Sequence, residues 1–230
     1  MRNTFRDPGI VDGELSQYVA TVGTDPTEYQ VTSLVEHDGD DAYRTQLTFD
    51  MANDFAMRVE QIFDRTGGFL STRSYVAEST FGDTLVSREE GNFDGTAHLQ
   101  FGGKVEPFPS PLTSLLGGAT TFRGLDFTKG AKATINLWLA YSIHWPVEVK
   151  VERRTSVDVP AGKFDAWQVK AKPSFAHING LLDKIIHGIL PAFTLHFEAT
   201  APHRMLRFSF PTGPLPWDAK GLVQLAKTSE

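Results

Sequence analysis

WPVEVKVERRTSVDVPAGKFDAWQVKA, residues 145–171, reads as two strands joined by a tight turn at Pro160-Ala161-Gly162. Val147, Val149 and Val151 alternate with Glu148, Lys150 and Glu152, the period-2 pattern of a half-buried strand. After the turn, Phe164, Ala166 and Gln168 alternate with Lys163, Asp165 and Trp167. A hairpin this regular makes the chain a β protein, and the rest is read outward from it.

Upstream, Tyr29, Val31, Ser33, Val35 and His37 share one strand face. The HDGDD turn at 37–41 sends the chain back through Tyr43, Thr45, Leu47 and Phe49, with His37 opposite Tyr43. Phe55–Asp64 and Gly68–Glu78 form the next hairpin. A turn centred near Thr66 puts Val59 opposite Arg73 and Met57 opposite Tyr75. Thr84–Glu90 pairs with Thr96–Phe101. Residues 102–121 break the rhythm, with a short helix expected over Ser110–Leu116 before Gly117-Gly118. Strands resume over Phe122–Phe127 and in one long run, Ala131–His144.

Downstream, Ile178, Leu181, Leu182, Ile185, Ile186 and Ile189 fall at the spacing of one helix face. Pro173 precedes that helix and Pro191 ends it. Strands are expected again over Phe193–Thr200 and Arg204–Phe210. The expected organisation is an N-terminal arm (1–13), one domain (14–210) containing the helix at 177–190, and a C-terminal tail (211–230). The fold class is mainly β: a single antiparallel half-barrel or barrel, with one amphipathic helix packed at its open side.

The segment Ser110 to Lys172 resembles the DUF3108 family of bacterial proteins of unassigned function. The resemblance rests on Ser110-Pro111-Leu112-Thr113-Ser114-Leu115, on Phe127-Thr128-Lys129-Gly130, and above all on the Val159-Pro160-Ala161-Gly162-x-Phe164-x-Ala166 run. It implies an open, strongly curved antiparallel sheet, similar to the half-barrels of bacterial lipoprotein carriers, which often wrap a hydrophobic cavity. It supplies no catalytic residues.

Composition narrows function. Net charge is −6 with no basic run, which argues against a nucleic-acid partner. There is no Cys, so disulfides and thiolate chemistry are excluded. Apolar runs fall short of the ~18 residues of a membrane helix. Asp7, Asp12 and Glu14 interrupt what would be a signal peptide, so a cytoplasmic protein is expected. Nucleotide, acyl-transfer and metalloprotease motifs are missing, and no cofactor is expected.

Seventeen Phe and four Trp supply a large aromatic core or pocket wall. The leading expectation is therefore a cytoplasmic protein that binds a small hydrophobic or aromatic molecule in a barrel cavity. Trp138, Tyr43, Ile178, Leu182, Ile185 and Ile189 are its candidate contacts. The alternative is a cofactor-independent lyase, isomerase or cyclase. Its acid–base and anion-fixing candidates are Arg73, Tyr75, His37, Tyr141 and His196. His196 and Glu198 share a strand face and could both reach one ion, but a polar outer face on a strand whose inner face is Phe193, Leu195 and Phe197 accounts for them, and no metal is expected. A filled core with a structural role stays open, as does the oligomeric state.

Overall fold

In the computed structural model, which describes residues 4–51, 53–99, 105–140, 143–174, 192–213, 215 and 217–229, the chain forms one 13-stranded sheet and a two-stranded ribbon. The N-terminal half is a meander of β1 (Glu14–Thr21), β2 (Tyr29–His37), β3 (Ala42–Asp50), β4 (Phe55–Asp64), β5 (Ser71–Phe81) and β6 (Thr84–Asn92). The ribbon is β7 (Ala97–Leu99) with β8 (Val105–Pro107). Then come β9 (Leu112–Ser114), a helical turn α1 (Ala119–Phe122), β10 (Lys132–Ala140), β11 (Ile143–Val159), β12 (Gly162–Pro173), β13 (Phe193–Glu198), β14 (Met205–Pro211) and β15 (Lys220–Ser229). The order across the sheet is β6-β5-β4-β3-β2-β1-β15-β14-β13-β12-β11-β10-β9. This is the curved, mainly β half-barrel expected.

The hairpin of 145–171 is present as β11 and β12, turning at 160–161, with Gly162 at φ 131° where a side chain would be strained. A bulge between Val151 and Arg153 splits its apolar pattern. Before the bulge, Val149 and Val151 share a face with Ala171 and Val169. After it, Val157 pairs with Phe164 and Thr155 with Ala166 on the opposite face. The hairpin therefore buries one face in the concave core. It leaves β13 beyond Ala166 and packs its tip against Leu206 and Leu225, where Ala161 N donates to Leu225 O at 3.0 Å.

Several local expectations change. Residues 112–114 are strand, not helix, because β9 finds a parallel partner in β10; the helical turn comes after the glycines. Phe122–Phe127 closes that turn instead of forming a strand. The run Ala131–His144 is divided between β10 and β11, which pair with each other. Val59 lies opposite Ala77 and Met57 opposite Ser79, because the β4–β5 turn is longer than a centre at Thr66 allows and the ladder shifts between Ile62 and Phe63. Residues 220–229, read as tail, form β15 between β1 and β14 in the middle of the sheet. The expected helix at 177–190 lies outside the described residues.

The two ends of the sheet are joined by side chains. Gln61 of β4 donates to Leu116 O (3.0 Å) and accepts from Ser114 Oγ (2.9 Å) next to β9. Val59, Tyr75 and Ala77 pack on Leu112 and Trp138 across the same seam. One end of the half-barrel is plugged by the N-terminal arm. Phe5 is fully buried, Arg6 N donates to Gly124 O (2.7 Å), and Leu70 N donates to Phe5 O (2.8 Å).

Candidate functional site

The concave face encloses a cavity of about 430 Å³. Its wall is built by strand alternation: Tyr18 from β1, Val31 from β2, Leu47 and Phe49 from β3, Phe208 and Phe210 from β14. Leu115–Gly118, α1 and Arg123 run along its other side. Gly117 has φ +81°, and a Cβ there would fall 2.0 Å from Gln61 Nε2, so the chain passes this close only as glycine.

Two charged residues line this apolar space, and they neutralise each other. Arg123 donates to both oxygens of Glu14, at 2.7 and 2.9 Å, and to Pro202 O at 2.8 Å. Arg204 adds a second guanidinium 3.5 Å from Glu14. Burial pushes the Glu14 carboxyl up, but the two guanidiniums prevail and hold it below its usual range. Burial raises the Glu198 carboxyl above its usual range, against the pull of Arg204 and Arg123. Tyr18, pushed up to about 12 by burial, donates to Met205 O.

The opposite end of the cavity has an apolar mouth. Val22, after β1, Met51, after β3, and Leu115, after β9, line the cavity and are solvent-exposed. Leu139, Ile143 and Trp217 are exposed at the same end of the antiparallel ladder.

The described residues singled out from sequence do not gather at one site. His37 and Tyr43 are cross-strand partners, as their turn predicted, with rings 5.4 Å apart. Both hold the arm: His37 Nε2 bonds Ile10 O (2.8 Å), while Tyr43 donates to Asp7 Oδ1 (2.6 Å) and accepts from Ile10 N (2.9 Å). Burial and Asp7 push Tyr43 up to about 12, and Arg65 lies over its ring. Arg73 pairs with Asp64 at the surface. Tyr75 and Trp138 pack edge to face at 4.7 Å in the seam, outside the cavity wall. His196 points away from the cavity that its neighbour Leu195 lines. Tyr141, Ile178, Leu182, Ile185 and Ile189 lie outside the described residues. Among the described residues no three His, Asp or Glu side chains gather as metal ligands. The buried Glu14–Arg123 pair escaped sequence reading because its members are 109 residues apart.

A model of a protein family of unknown function, DUF3108, matches residues 16–184. No curated protein matches the chain. Two solved structures are similar at low score. One is a presumed exported protein with a YmcC-like fold from Bacteroides fragilis NCTC 9343, with 9% identity, 100% of each chain covered and a TM-score of 0.36. The other is a presumed lipoprotein from Parabacteroides distasonis ATCC 8503, with 7% identity, 99% of this chain and 98% of that one covered, and a TM-score of 0.33. One neighbour is described as exported and the other as a lipoprotein, descriptions at odds with the expected cytoplasmic location, which is not retained. The expected function is corrected with it: neither a cytoplasmic binder nor its cytoplasmic lyase, isomerase or cyclase alternative is retained.

Proposed function

The chain belongs to the DUF3108 family, and from that premise and the lining of its cavity we propose that it seats the hydrocarbon tail of a lipid-class amphiphile, with the head left at the mouth. One observation carries this reading: an apolar space of about 430 Å³ that opens between the exposed apolar side chains Val22, Met51 and Leu115. A pocket of this size is in the range of ligand sites, roughly 300–1,000 Å³. A tail gains from burial against such a wall at ~25 cal/mol per Å² of apolar surface removed from water. The Glu14–Arg123 pair supports a neutral guest portion, because both charges are already matched within the protein.

The test is titration with a fluorescent fatty-acid probe. A saturable, blue-shifted rise displaced by lysophospholipid is expected. Leu47→Glu, which sets a carboxylate in the wall, is expected to reduce affinity by about tenfold or more. No saturable signal, or an unchanged affinity in a folded Leu47→Glu variant, refutes the reading.

A further inference from the structure

We propose that the outer face of the sheet carries a phosphate-binding niche formed by Arg153, Gln168, His196 and Arg207. These residues come from four adjacent strands and are directly opposite one another: Arg153 faces Gln168, Gln168 faces His196, and His196 faces Arg207. Directly opposed residues share a sheet face with Cβ atoms ~5 Å apart. The row points away from the cavity, whose wall takes the neighbouring Leu195 and Phe208.

Two buried nitrogens in it are left over. Nδ1 of His196 and Nε of Arg207 are buried without a hydrogen-bond partner among the described residues. Buried polar groups in folded proteins are nearly always satisfied, so such a pair marks a place for a bound group. Arg207 donates through its terminal nitrogen to Asp158 O, on the folded-back hairpin tip, which borders the niche. Gln168 Oε1 accepts from Arg153 Nε at 2.9 Å, so its amide nitrogen remains to donate.

The charge is only partly compensated. Asp165 pairs with Arg154, Glu198 lies beside Arg204 and Arg123, and Glu152 pairs with Lys150 while also acting on Arg153. Burial, then Arg207 and Arg153, lower His196 to about 4, so its ring is neutral near pH 7 between two cations. Two guanidiniums match the ~−1.5 to −2 charge of a phosphate group, whose oxygens fit their fork geometry. The phosphate can be free or carried on an ester headgroup. The niche lies on the other face from the cavity and does not depend on what the cavity holds.

The test follows the His196 ring by NMR at low ionic strength while inorganic phosphate, and separately glycerol 3-phosphate, is added to the full chain. A saturable shift is expected, weakened about tenfold or more in Arg207→Gln and less in Arg207→Lys. Tighter binding of glycerol 3-phosphate points to an ester-borne phosphate, and equal or tighter binding of inorganic phosphate points to the free ion. If Arg207→Gln fails the fold check by circular dichroism, Arg153→Gln, at an exposed position, replaces it with the same expected loss. A shift that does not saturate, or equal affinity in a folded variant, overturns the proposal.

Discussion

Gln61 is 1% exposed, and its amide bonds both Ser114 and Leu116 across a seam where the described residues of β4, β5 and β9 share no ladder. Gln61→Leu keeps the volume and removes both bonds across the seam, leaving only the local bond from Ser114 Oγ to Leu116 O. A loss of ~1–3 kcal/mol is expected in urea unfolding, with little change in slope. The Glu14–Arg123 pair carries more. Arg123→Met strips Glu14 of its two-pronged partner, leaving only Arg204 at 3.5 Å, and is expected to cost ~3–5 kcal/mol, much of it recovered in the Glu14→Gln/Arg123→Met double variant. Glu14 is held below its unfolded value of about 4.5, so its contribution is present above that pH and is lost as pH falls through the lower folded value. The double variant is expected to lose this part of the acid sensitivity, which unfolding curves at pH 6 and pH 3.5 would measure. None of this is visible in the sequence, where Gln61 and Glu14 read as ordinary polar positions on strands.

At the scale of elements, the N-terminal arm is a plug, fixed by Tyr43, Asp7 and Arg65. Tyr43→Phe removes the hydroxyl that bridges Asp7 and Ile10. Amide exchange at residues 5–10 is expected to speed up while the central strands stay protected, with a global loss of ~1–2 kcal/mol. Equal acceleration throughout the sheet would show that the arm does not open separately. The hairpin β11–β12 was legible because its turn and alternation are local. Its change of face was not, because one bulge residue moves every following side chain to the other side. The same cause misplaced Arg73 and Tyr75: a longer turn and a ladder shift alter the register with no mark in composition.

For the whole molecule, the curved sheet leaves an apolar interior that opens at one end and is closed at the other by the arm. The probe titration and the phosphate titration address opposite faces of this sheet, so their outcomes are independent. Loss of one with retention of the other would assign each activity to its own face.

The sequence alone determined the β class, the family resemblance and most of the hairpins, because period-2 alternation and turn chemistry act between residues close in the chain. The tertiary structure decided what closes the sheet, which faces look inward and which charges meet. β15 is the clearest case: ten residues that read as a tail become a central strand because β1 and β14 offer unpaired backbone groups on either side. Those hydrogen bonds join the two termini of the chain, and no local pattern encodes a partner some 200 residues away.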